Sequence, residues 1–137
     1  MRSLMVVLFA LVLGLSAGQA RADEPADGIQ SVIERQIAAF RANDLDRAFT
    51  FASPGIQRQF GDPQNFGRMV QNGYPMVWRP AETNFLSVEV IDGLLWQNVM
   101  IRDQAGGIHL LDYQMINTGD GWQINGVQIL RAPDVGA

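Results

Sequence analysis

The sequence predicts an α+β fold, with N-terminal helices packed on a curved antiparallel β-sheet of about four strands. Three observations predict it. Apolar residues recur at helical spacing as far as Gly73. From Glu82 onward every run reads as a strand bounded by turn residues. Helices and strands fall in two separate blocks, where a parallel sheet would need them to alternate.

The helices come first. Asp27 and Gln30 form a capping-box pattern. Ile29, Val32, Ile33, Ile37 and Phe40 then mark the buried stripe of a helix of about 15 residues ending near Asn43. Asp44 caps a shorter helix whose inner face is Leu45, Ala48, Phe49 and Ala52. Ser53-Pro54 is a cap followed by proline at the first helical position, and Asp62-Pro63 repeats the device. Ile56 and Phe60 anchor the first of these helices, while Phe66, Met69 and Val70 face inward from the second. Gly73 stops it. Between Tyr74 and Pro80, two X-Pro steps predict an extended crossover from helices to sheet.

The strands follow as a meander. Thr83 to Ile91 turns at Asp92-Gly93, a two-residue hairpin signal. Leu94 to Arg102, Ile108 to Asn117 and Trp122 to Arg131 are joined by Asp103–Gly107 and Thr118–Gly121. Gly126 predicts a bulge or bend in the last strand. Sequential strands with short turns pair with their neighbours.

Residues 1–22 read as a secretory signal peptide. Arg2 precedes an apolar run from Leu4 to Leu15, and Ala20-Arg21-Ala22 is an A-x-A cleavage pattern. The run is too short for a spanning helix, so no stable membrane insertion is expected after cleavage. The expected organisation is then a disordered acidic leader over 23–27, one α+β domain over 28–132 and a flexible tail over 133–137. Losing Arg2 and Arg21 leaves eight arginines against 14 acidic residues, a net charge of −6. That charge opposes nucleic acid. Every basic residue is Arg and none is Lys, the codon bias of a GC-rich genome. The location expected is therefore a bacterial periplasm or the medium.

The chain has no cysteine and one histidine, His109. Thiol chemistry, Fe–S clusters and cysteine zinc sites are excluded, and no metal or other cofactor is expected. There is no Walker motif and no G-x-G-x-x-G after a strand. Asn117–Gly121 lacks the alternating oxygen ligands of a calcium loop and reads as a hairpin turn. Ser31, Ser53 and Ser87 have no nucleophile-elbow context.

Phe40, Asn43-Asp44-Leu45-Asp46, Ala48-Phe49 and the closing Gly121-Trp122-Gln123-Ile124-Asn125-Gly126-Val127 resemble the nuclear transport factor 2-like superfamily, the cystatin-like α+β roll. Ala52-Ser53-Pro54, Phe66, Met69-Val70 and Tyr74-Pro75 resemble a family of small exported bacterial proteins that is a domain of unknown function. The resemblance covers about residues 28–131. It implies a cavity between helices and concave sheet, and a homodimer through the sheet's outer face. It does not choose a chemistry, because this fold hosts many.

The third strand supplies the candidate site. Ile108, Leu110, Asp112, Gln114 and Ile116 share one face, and His109, Leu111, Tyr113, Met115 and Asn117 the other. Both faces are apolar enough to want cover, one from the helices and one from a partner subunit. A carboxylate between Leu110 and Ile116 is costly unless paired. Asp112 is thus either a general base in a cavity or an acid at an interface or on a wet face. Were Arg102 to face Ile108, Asn98 would fall opposite Asp112 and Trp96 opposite Gln114, a polar cluster in an apolar setting.

The ligand-binding candidates are accordingly Tyr74, Trp78, Trp96, Asn98, Asp112 and Gln114. The first reading is an exported domain without catalysis, binding a small apolar or amphipathic molecule or acting as a dimeric interaction module. A second is a pocket enzyme of isomerase or dehydratase type, with Asp112 as base and Tyr74 or His109 polarising the substrate. This reading requires Asp112 to share an enclosed pocket with one of them. A third is a structural accessory of an envelope complex.

Overall fold

A computed structural model describes residues 25–130. The expected signal peptide over 1–22 and tail over 133–137 lie outside the described residues. The first helix, α1 (Pro25–Arg41), begins two residues before the expected cap at Asp27. Proline's fixed φ suits the first helical turn, where its missing N–H costs nothing. Part of the expected leader is therefore helical. Ile29, Ile33, Ile37 and Phe40 form the buried stripe. The helix stops where Asn43 takes a positive φ of 54°, a conformation asparagine tolerates.

Three short helices follow, α2 (Leu45–Thr50), α3 (Pro54–Phe60) and α4 (Pro63–Gly73). Each begins at its expected cap. Asp44 accepts from the Arg47 N–H, Ser53 from Ile56 and Asp62 from Asn65. Such caps contribute about 1 kcal/mol each. The crossover differs from expectation: Pro75–Trp78 forms one helical turn, α5. The residues before the two prolines, Tyr74 and Arg79, do stay out of the helical region. Pro75 then opens a turn that buries Met76 and Val77.

The sheet is an open antiparallel meander in the order β1 (Glu82–Ile91), β2 (Leu94–Arg102), β3 (Ile108–Asn117) and β4 (Trp122–Leu130). Arg131, expected to close the last strand, lies outside the described residues. Asp92 and Gly93 both take positive φ, as the tight β1–β2 hairpin requires. Arg102 faces Ile108, which sets Asn98 opposite Asp112 and Trp96 opposite Gln114. Two bulges bend the sheet. One is on β1 between Phe85 and Val88. The other inserts Asn125 into β4, next to Gly126.

The register decides which face meets the helices. Gln97, Val99 and Ile101 on β2 pair with Tyr113, Leu111 and His109 on β3. All but His109 are fully buried. With Met115 and Ile124 they meet the apolar sides of α1, α4 and α5 in one core. Ser53 fixes the helical layer to the sheet edge. Its N–H donates to the Ile124 carbonyl, and the Ile124 N–H donates to Phe51. That stretch of β4 is thereby closed to further pairing.

Candidate functional site

The helices do not fill the space above the sheet. A cavity of about 210 Å³ lies between them and β3–β4. Its floor is Tyr113, Ile124, Gly126 and Val127. Phe60 from α3 and Phe66, Met69 and Val70 from α4 form the roof. Gln36 and Phe40 of α1, with Tyr74 and Val77 of the crossover, close the inner end. Ile56 and Gln59 complete the lining, and Gln59 is exposed to solvent. Among the described residues no charged side chain lines it.

Local sequence explains each wall. Proline opens both α3 and α4, and across these consecutive helices Phe60 and Phe66 meet edge to face at 5.9 Å between ring centres. Phe66 also lies 5.9 Å from Phe40 and 5.5 Å from Phe49. The bulged Asn125 leaves the ladder and is held on both sides. Its carbonyl oxygen accepts from Ser53 Oγ at 2.7 Å, and its amide donates to Gln114 Oε1. The Gly126–Val127 wall therefore hangs from the cap of α3.

Polar groups around the cavity are mostly satisfied. Tyr74 donates its hydroxyl to the Val127 carbonyl at 2.9 Å, and Gln36 donates its amide to Ala48 at 3.2 Å. Tyr113 is the exception. It is fully buried, and among the described residues its hydroxyl has no hydrogen-bond partner. Burial, and then the nearby Tyr74, pushes its phenol far above the ordinary tyrosine value. Tyr113 stays neutral throughout the physiological range.

The sequence-derived candidates divide between two places. Tyr74 lines the cavity. Trp78 does not, because it packs 5.4 Å from Phe40 with the Arg79 guanidinium 4.6 Å over its ring. Trp96, Asn98, Asp112 and Gln114 belong to the sheet's opposite face, set there by the register. Asp112 there accepts from the Asn98 amide at 2.8 Å. A cleft of about 240 Å³ on that face joins Ser87, Glu89, Trp96, Asn98, Asp112 and Leu130. The pocket-enzyme reading required Asp112 to share a pocket with Tyr74 or His109. The alternation of β3 sends Asp112 away from both.

His109 sits on the helix-facing side, but at the far end of β3. There it bonds Asp103 at 2.7 Å beside Pro75, Met76 and Arg79. Asp103 also accepts from the Ala105 and Gly107 N–H groups, closing the β2–β3 turn. The His109 hydrogen bond, then that from Gly107, holds the Asp103 carboxyl below its ordinary 3.8. A carboxyl depressed in the folded state stabilises fully above that ordinary value and loses its contribution as pH falls through the lowered one. Asp103→Asn is expected to be less stable than the parent by a constant margin above pH of about 4, with the margin shrinking below it. Urea midpoints from pH 6 down to pH 2.5 check this; a margin unchanged at the acid end rejects it.

A family model described as a domain of unknown function (DUF4864) matches residues 22–137. The chain belongs to this family. No curated protein and no solved structure matches it. In this DUF4864 chain no described helix is long and apolar enough to cross a membrane. No group of three or more His, Asp or Glu among the described residues is placed to hold a metal. The cavity walls other than Tyr74 escaped sequence reasoning because Phe60, Phe66, Met69 and Val70 carry the same signal as any core residue. Tyr113 had one available signal, a polar tip between Leu111 and Met115.

Proposed function

We propose that this protein is an exported, non-catalytic binder of a small apolar or amphipathic molecule, held in the cavity between α3, α4 and the β3–β4 floor. The observation that carries the reading is the cavity's chemistry, a space of about 210 Å³ walled mainly by aromatic and aliphatic side chains, with Gln36 and Gln59 beside them and no charged side chain among the described residues. An enclosed cavity of about 150 Å³ lined only by aliphatic and aromatic side chains accepts benzene; this one is larger and opens to solvent beside Gln59. The space here suits a single ring with a short substituent, or a short acyl chain. Among the described residues the titratable groups in the walls are Tyr74 and Tyr113, which argues for binding and against proton transfer.

The fold is proposed to be the nuclear transport factor 2-like roll, on the ground that helices cover one face of a twice-bulged antiparallel sheet. Export rests on the Arg2 to Ala22 pattern, and the family match begins at residue 22. The second reading, a homodimer through the sheet, is favoured by the uncovered outer face. There Trp96, Met100, Leu110 and Ile116 are only partly buried, and Leu94 and Ile108 are exposed. A partner's matching face would remove them from water.

One experiment addresses both readings. The chain is expressed from Met1, recovered gently from the cell envelope fraction and examined by native mass spectrometry. A dimer in which each chain carries one uniform small added mass is the expected result. A bare monomer would sink the ligand and dimer readings together, and a bare dimer the ligand reading alone.

A further inference from the structure

We infer that the outer face of the sheet is completed by a second copy of this chain, whose Arg102 enters the cleft between Glu89 and Asp112. This rests on the dimer reading above and adds the residue through which each copy recognises the other. The cleft, about 240 Å³ in volume, holds two carboxylates beside the Trp96 ring. Asp112 accepts from Asn98 with one oxygen. The ion pairs among the described residues, Arg102–Glu82 and His109–Asp103, leave Glu89 and Asp112 without a cation. Covering this face with apolar surface alone would bury both charges unpaired, which is strongly destabilising. The dimer reading therefore demands a positive group. Alternation along β2 gives the outer face one, Arg102. Every other arginine among the described residues lies in a helix or in the crossover.

Spacing makes the face complementary to itself. Asn98 lies in the cleft with Asp112 opposite it, and Arg102 follows four residues later on β2, with Met100 midway and Leu110 opposite Met100. A two-fold axis between two such sheets, crossing the strands at Met100 and Leu110, stacks each copy's Arg102 over the other's Asn98. Both then stand two residues, about 7 Å, from the axis. The half-buried Met100, Leu110 and Leu130 meet their own counterparts along it, as an isologous contact requires. In the cleft a guanidinium finds Glu89 on one side, Asp112 on the other and the Trp96 ring between them, a pairing that Arg79 and Trp78 already make within one chain. The present partner of Arg102 is no obstacle. Glu82 lies 3.5 Å away with both side chains half exposed, and exposed pairs contribute little.

The test is mutual rescue of two variants, Arg102→Glu and Glu89→Arg, followed by sedimentation equilibrium. Both positions are exposed in the single chain, so each variant keeps its fold. Arg102→Glu sends an acid into the partner's acidic cleft. Glu89→Arg sets a cation where the partner subunit's Arg102 arrives. Each alone is expected to weaken self-association by at least about thirtyfold, the low end for a buried charge pair that loses one member. In an equal mixture the new glutamate of one chain meets the new arginine of the other, and native Arg102 meets a native cleft. A heterodimer about as tight as the parent dimer is the expected result. Either variant self-associating like the parent, or a mixture that stays monomeric beside a dimeric parent, overturns the Arg102 assignment while the dimer reading stands. A parent chain that is monomeric at its highest soluble concentration removes the dimer reading and this inference with it.

Discussion

Phe66→Ala is expected to lower the unfolding free energy by about 3–5 kcal/mol, the usual cost of emptying a buried phenylalanine site. Phe66 is nearly fully buried and is the one ring that touches Phe40, Phe49 and Phe60. Each such pair contributes about 0.5–1.5 kcal/mol beyond area burial. Removing the ring takes away three pairings at once. It also joins the vacated volume to the cavity that Phe66 roofs, so the site has little means of collapsing. Against a total stability of about 5–15 kcal/mol, the midpoint should fall by roughly 15 °C. Phe66→Leu keeps most of the volume and should lose less than half as much. Differential scanning calorimetry of the two variants decides it. A loss below about 1 kcal/mol for the alanine would mean that the helical layer is not centred on these four rings.

The same ring explains why the cavity was hard to read from sequence while the elements around it were legible. Ser53-Pro54 and Asp62-Pro63 are local signals, set by cap hydrogen bonds within three residues, and the sequence shows them directly. Asp92-Gly93 is local in the same way. Whether Phe60 and Phe66 press together or leave a gap depends on the angle between two helices, a non-local quantity that no spacing encodes. The α5 turn was missed for a related reason. The residue before each proline is indeed extended, but Pro75 itself is a favourable helix start, and the burial available to Met76 and Val77 decides in its favour.

The choice of sheet face is the sharper lesson. Leu110 and Ile116 argue as strongly for one face of β3 as Leu111 and Met115 do for the other. With a period of two, hydrophobicity alone then leaves the answer open. Arg102 does face Ile108, the condition under which Asp112 meets Asn98, but the sequence left that register open as well. Which side the helices would cover was equally open. That one binary choice moves Trp96, Asn98, Asp112 and Gln114 out of the cavity and puts Tyr113 into its floor.

Gln97 carries the second large expectation. It is fully buried on the helix-facing side of β2, between Leu95 and Val99. Its amide nitrogen donates to the carbonyls of Leu86 and Ser87 and to that of Asn98. Leu86 and Ser87 are the two residues in the β1 bulge, where the ladder to β2 is interrupted. A bulge leaves backbone groups unpaired, and here a side chain from the neighbouring strand supplies the missing donor. The arrangement is imperfect, because Gln97 Oε1 itself finds no partner among the described residues. Gln97→Ala should cost about 2–4 kcal/mol, from unmatched carbonyls plus an unfilled hole. Gln97→Leu restores the volume and removes the unmatched oxygen, so on apolar burial alone it should be stabilising. If the amide holds the bulge, the leucine variant instead stays about 1–2 kcal/mol below the parent. Amide exchange should then quicken in β1 near Ser87 and Val88 and remain unchanged in β3. A leucine variant as stable as the parent, with β1 exchange unaltered, would show that the strand keeps its bulge without the glutamine.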